Sequence, residues 1–354
     1  MSIDFSEINY LQDPDIMSLK ADYDQFLLSI SGPTIIDISG REQSRTRVIT
    51  TLIHGNEPSG LIAVHRWLTA LKAGDRPATN LRFIICSPEA ASHTPMFHHR
   101  NLEDGMDLNR CFGAEHKHGY FQRAALIENA IREVTPEVVV DLHNTSGFSP
   151  AFAVSIEKNE MALSLTALFC QTLILSDIRL GALMEQDFGC QTITIECGSS
   201  CDIQSHEVAY SGIKQLATII NLENCHFDKE IDIYLKPLRL QVKPGIPISY
   251  NGIDEGRDGL TLVSNIEQHN FGIIRASQIL GWLDRFGLEN LQVLDVDGEN
   301  VVDQYFTLRS NQLVSKIDLN IFMATKQLAI AKSDCILYLV ANQNHINQQL
   351  SRRG

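Results

Sequence analysis

Four short stretches carry the residue types that chemistry needs. The first is His54-Gly55-Asn56-Glu57, which follows an apolar run and sets an imidazole and a carboxylate three residues apart. On a turn, that pair can point at one ion, and both groups are good zinc ligands. A lone pair of this kind has a plainer alternative, a strand-end histidine bonded to backbone, so the metal reading needs a third ligand. Asp141-Leu142-His143-Asn144-Thr145 supplies one in His143, with Asp141 as a nearby carboxylate. A core histidine is again the alternative, and it is the pairing with His54 and Glu57 that favours a metal.

The third stretch, Asp107-Leu108-Asn109-Arg110, has the chemistry of an anion clamp. Arginine presents a planar fork that grips carboxylates, and asparagine adds a directed amide donor. Arg100, seven residues before Asp107, is a second cation, suited to stabilising the oxyanion that forms when water attacks a carbonyl. A surface ion pair is the alternative for either arginine. The fourth stretch, Thr192-Ile193-Thr194-Ile195-Glu196-Cys197-Gly198, sets one carboxylate in an apolar strand. A buried charge is expensive unless it is paired or used. A glutamate beside a metal can take a proton from the attacking water and hand it to a leaving nitrogen. Its alternative is a place on an exposed sheet edge.

These residues need elements to hold them. Residues 48–53 are β-branched and apolar without a breaker, and read as a buried strand ending at His54. Gly55 and Asn56 bend the chain, and Pro58 suits the first turn of a helix over 60–73. Further strands are expected at 34–38, 81–86, 138–143, 151–156 and 191–197, and helices at 13–30, 120–133, 160–171 and 203–222. Residues 89–119, with His93, His98, His99, His116 and His118, have little periodicity, and so long a connection is usually functional. Strands alternating with helices imply a mostly parallel mixed sheet covered by helices, an α/β fold. Ligands bind such sheets outside the carboxyl ends of the strands, where His54, His143 and Glu196 all fall. After about residue 224 the texture turns to short strands, at 231–235, 238–249, 291–296, 312–317, 327–331 and 336–340. The expected division is a catalytic domain over 1–224 and a smaller β-rich domain over 225–354.

Composition bounds the function. The 354 residues carry a net charge of -14, which argues against nucleic-acid binding through basic stripes. The N-terminus is acidic and has no apolar core, and no run approaches the roughly 20 apolar residues of a membrane span. The eight cysteines are scattered without a C-x-x-C, as expected of reduced thiols in a cytoplasm. A second metal at His98 and His99 has no support in the sequence, and nothing in it bears on oligomeric state.

Taken in order, His54-Gly55-Asn56-Glu57, Asp107-Leu108-Asn109-Arg110, Asp141-Leu142-His143-Asn144-Thr145 and Glu196-Cys197-Gly198 resemble the succinylglutamate desuccinylase/aspartoacylase family, which belongs with the zinc metallocarboxypeptidases. The resemblance covers about residues 30–225. It implies a carboxypeptidase-like α/β fold and one zinc ion per chain on His54, Glu57 and His143. It also implies Glu196 as general base and acid, Arg100 as the carbonyl-polarising arginine, and Asn109 and Arg110 as the substrate-carboxylate site. A small β domain after the catalytic domain is similar to the family as well. There is one departure. Aspartoacylases carry a basic residue shortly before the catalytic glutamate, whereas residues 180–195 here contain no Lys or Arg, the nearest being Arg179. An acidic substrate side chain is therefore not expected.

The expected function is zinc-dependent hydrolysis of an amide bond in an N-acyl amino acid, a small molecule with a free carboxylate. The alternative within the same chemistry is a metallocarboxypeptidase of short or cell-wall-type peptides. A non-catalytic binding protein on a hydrolase scaffold would not need the full ligand set together with Glu196. A thiol hydrolase using Cys197 lacks a recognisable histidine partner.

Overall fold

The computed structural model describes residues 4–15, 19, 21–72, 74–102, 105–115, 118–223 and 229–350. Its centre is a ten-stranded sheet. Nine of the strands are β1 (Asn9–Gln12), β2 (Thr34–Ile38), β3 (Glu42–Thr51), β4 (Thr79–Ile85), β5 (Val138–Thr145), β6 (Phe152–Ser155), β7 (Thr172–Leu175), β8 (Gln191–Ser199) and β9 (Lys229–Leu235). The tenth is His345–Leu350, and the order across the sheet is β1-β2-β4-β3-β5-β8-β6-β7-β9 followed by that strand. Most neighbours are parallel. Only β2 with β4, β6 with β8, and β9 with the last strand run antiparallel.

The sheet is buried on both faces because its strands alternate between two apolar cores. In β5, Val138, Val140 and Leu142 enter one core, with Trp67, Leu68 and Ile213. Val139 enters the other, with Ile127 and Ile131. The helices that cover the faces include α1 (Tyr23–Ser29), α2 (Ser59–Ala70), α3 (Pro88–Ser92), α4 (Tyr120–Glu133), α5 (Glu160–Phe169) and α6 (Ile203–Thr218). Helix α4 begins and ends where its periodicity places it.

The expected helix over 13–30 is shorter. Asp13 turns with a φ of 42° and its carboxylate accepts from Ser39, while Asp22 caps α1 by accepting from the Gln25 N–H at 2.8 Å. Residues 16–18 and 20 of that stretch lie outside the described residues. Strands β1 and β7 were not expected, being four residues each. Residues 327–331, expected as a strand, form part of a helix, Leu328–Ser333. Leu, Ala and Lys favour helix, and the Asp334 N–H closes the last turn onto the Ile330 carbonyl at 2.9 Å.

The β-rich region forms two five-stranded sheets around its own core, with Phe306, Leu313, Ile321 and Leu339 fully buried. The expected boundary at 224/225 lies outside the described residues. The two-domain division stays our proposal for the chain. The large sheet itself continues past that point, because β9 and the last strand both pair into it.

Candidate metal centre and ligand cavity

Strands β3, β5 and β8 are adjacent and parallel, so their carboxyl ends open on one side. His54 follows β3 after a left-handed residue, Leu52, at φ 53°. Left-handed backbone is rare for a bulky residue and is held here by full burial. The turn that follows is tight. The Gly55 N–H donates to the Arg100 carbonyl at 2.9 Å, and a Cβ on Gly55 would lie 2.6 Å from the Ala90 backbone. The turn delivers Glu57 just before α2.

His54, Glu57 and His143 converge, with ligand atoms all within 4.8 Å of one another and all three side chains buried. His54 Nδ1 lies 2.8 Å from Glu57 Oε1, and His143 Nδ1 lies 2.7 Å from Glu57 Oε2. The opposite ring nitrogens are also held. His54 Nε2 meets Asp107 Oδ1 at 2.8 Å, and His143 Nε2 meets Asp141 Oδ2 at 2.7 Å. Asp141 is fixed in turn by the Thr50 hydroxyl, which donates at 2.6 Å across the β3–β5 pair. Carboxylates behind imidazoles set their tautomer and basicity, as around bound metals. The donor set and its backing therefore fit a zinc ion: two imidazoles and a carboxylate, each imidazole braced from behind.

The charges of these side chains are coupled. Burial opposes ionisation of Glu57, but His54 and His143 outweigh it and hold its carboxyl well below the usual range. Burial likewise disfavours a charged His143, yet Asp141 and Glu57 raise its proton affinity well above that of a free imidazole. Asp107 is held well below the usual carboxylate range against its burial, by His54 and then Arg100.

Glu196 stands apart from this network. It lies directly across the β5–β8 register from His143 and is 9 % exposed. Its Oε2 is buried without a hydrogen-bond partner. Burial pushes its carboxyl up to about 7, with His143 opposing the rise and Glu57 adding to it.

Arg100 reaches the same place from the loop before Asp107. Its guanidinium donates to Glu57 Oε1 at 3.2 Å and to Asp107 Oδ2 at 3.0 Å. Asn109 accepts from the Leu183 N–H at 3.0 Å through its side-chain oxygen. Arg110 lies 3.5 Å from Asp334, which also meets Arg239 at 3.2 Å. All seven residues singled out in the sequence line one cavity of about 430 Å³. His98 and His99 join no metal cluster among the described residues, and His116 lies outside them.

Sequence reasoning missed three groups. Asp107 was part of a motif, but its bond to His54 was not foreseen. Asn144 donates its backbone N–H to Glu57 at 3.2 Å and its side chain to Ser59 at 2.8 Å, tying β5 to the start of α2. Phe322, Asp334 and Tyr338 of the β-rich region line the cavity as well, and no local signal marks them.

The fold and site define a class: an open-sheet α/β protein with a His-Glu-His cluster, able to hold a metal ion, at the carboxyl ends of parallel strands. Residues 43–211 match the model of the succinylglutamate desuccinylase/aspartoacylase catalytic domain, which assigns that segment to this family. The fold is similar to murine aminoacylase 3, with a TM-score of 0.55 at 17% identity, over 88% of this chain and 98% of that one. It is also similar to succinylglutamate desuccinylase from Chromobacterium violaceum, with a TM-score of 0.51 at 14% identity, over 87% of this chain and 86% of that one. No curated protein matches in sequence.

Proposed function

We propose that this protein is a zinc-dependent hydrolase of the amide bond in N-acyl amino acids. The observation that carries the reading is Glu196, a buried carboxylate with an unpaired oxygen, set across from His143 in the cavity that holds Asn109 and Arg110. His54, Glu57 and His143 would hold the zinc, which when bound polarises a carbonyl and acidifies water. Glu196 accepts a proton from the attacking water and returns it to the departing nitrogen. Arg100 spends two of its five donors on Glu57 and Asp107, and those remaining serve the oxyanion. The Asn109 amide and the Arg110 fork hold the substrate carboxylate. Asp107 and Asp141 keep both imidazoles in the ligating tautomer.

The family name and the aminoacylase and desuccinylase relatives support a deacylase over other amide chemistry. A peptidase acting on short peptides would use the same groups, and a cavity of about 430 Å³ admits a dipeptide. A panel separates the two: N-acyl amino acids are expected to be cleaved faster than dipeptides, and the reverse order would make the protein a peptidase. Metal analysis should give about one zinc per chain and near-complete loss in His143→Ala. Full retention of metal in that variant would overturn the ligand set.

A further inference from the structure

We propose that the β-rich region closes the substrate site with an apolar wall, and that this wall selects an uncharged, bulky group, aromatic or branched aliphatic, beside the scissile amide. The inference rests on the deacylase reading and names its substrate class.

The wall begins at Glu196. Register pairs Phe152 with Glu196 and Val154 with Thr194, then Val154 with Ile174, and Ile174 with Tyr234. Paired positions in a sheet share a face, so a row of apolar side chains runs sideways from the proposed base. The β-rich region covers this row with Phe271 and Phe322. Phe271 packs on Phe152 with ring centroids 4.9 Å apart, and Phe322 packs edge-on against Tyr234 at 4.8 Å. These side chains pack into one apolar cluster, and Phe152, Val154 and Ile174 of the sheet line the cavity together with Phe322, Met323 and Tyr338 of the β-rich region.

Charge points the same way. Among the described residues no lysine lines the cavity, and the two arginines that do, Arg100 and Arg110, already have carboxylate partners. Arg100 is tied to Glu57 and Asp107, and Arg110 meets Asp334. Glu185 and Asp334 are further carboxylates on the lining. One substrate carboxylate can compete with Asp334 for Arg110. A second would find no free cation and would face these acids in a desolvated space. An apolar group there buries its surface against the aromatic wall.

The group belongs either to the amino-acid side chain or to the acyl chain, and two ligand series distinguish them. One varies the side chain (N-acetyl-phenylalanine, -leucine, -alanine, -aspartate). The other varies the acyl group on glycine (3-methylbutanoyl, benzoyl, acetyl, succinyl). Turnover is measured on the zinc-loaded protein, and binding by calorimetry on Glu196→Gln. In at least one series the bulky apolar member should exceed both the small and the acidic members by about tenfold or more. Equal values in both series, or an acidic preference, would overturn the proposal. The same ranking in binding with no turnover of any N-acyl compound would overturn the deacylase reading and leave the apolar wall standing. Val154→Lys, at a half-buried position, should raise affinity for the acidic member and lower it for the apolar one. An unchanged ranking in that variant would show that the wall does not touch the substrate.

Discussion

Burial decides what Glu196 can do. Its neighbours across the sheet are His143 and Phe152, one polar and one apolar, and its Oε2 finds no donor. A carboxyl pushed up to about 7 is protonated below that pH and so unable to act as a base. A cation bound beside it favours the ionised form and lowers that value. The acid limb of kcat/KM should therefore fall at or below about pH 7, with activity rising as Glu196 ionises. Glu196→Gln keeps the shape but cannot accept and return a proton. It should fold, retain metal, lose about 10²–10⁴-fold in turnover, and lose the acid limb from what activity remains. Loss of metal in that variant would make Glu196 a ligand, and full activity would place the base elsewhere.

The elements hold these side chains through close contacts more than through propensity. Helix α2 starts two residues after Glu57 and presses on the end of β3. A Cβ on Gly60 would sit 2.1 Å from Thr51 Oγ1 and 2.7 Å from Thr51 Cβ, atoms fixed in the sheet. Gly60→Ala should therefore push α2 away from β3 and cost about 1–3 kcal/mol, read as a lowered midpoint in thermal or urea unfolding. Because α2 follows the His54–Glu57 turn directly, zinc affinity should fall with it. A variant as stable as the parent would mean that α2 shifts freely, and that the turn does not depend on this contact. Strand β5 was legible as a buried strand ending at His143, but that Val138, Val140 and Leu142 share a face apart from Val139 came from the structure. That Asp141 backs His143 was visible only as adjacency, because the sequence does not say that Thr50 sits opposite to orient the carboxylate.

At the scale of the whole molecule, the β-rich region is docked onto the loop that follows His143. The Asn270 amide donates to the Phe148 carbonyl at 2.8 Å and to the Ala324 carbonyl at 3.1 Å, and its oxygen accepts from the Ala324 N–H at 2.8 Å. The Gln327 side chain donates to the Ser146 carbonyl at 2.6 Å. Asn270 is buried, so its loss strands backbone groups away from water. Asn270→Ala should cost about 1–3 kcal/mol in unfolding and loosen the apolar wall, raising KM for the preferred substrate more than it lowers kcat. A drop in kcat at unchanged KM would instead tie the docking contact to the chemistry. The membrane question is simpler: no helix among the described residues is long and apolar enough to cross one.

The sequence by itself determined the α/β class, the buried strands that end at His54, His143 and Glu196, and the ligand-type residues at those ends. The reason is local. An apolar β-branched run marks a buried strand, an ionisable residue at its end is costly unless used, and helix periodicity placed α4 over Tyr120–Glu133. Only the tertiary structure decided that β3, β5 and β8 are neighbours, that Asp107 reaches His54, and that Asp334, Phe322 and Tyr338 come from the far end of the chain to complete the cavity. Strand order is set by crossovers and by long-range pairing, which leave no mark on any short window of residues. The short strands β1 and β7 and the helix over Leu328–Ser333 escaped for the same reason. Each is too brief for its own periodicity to identify it, and each is held in place by the partner it packs against.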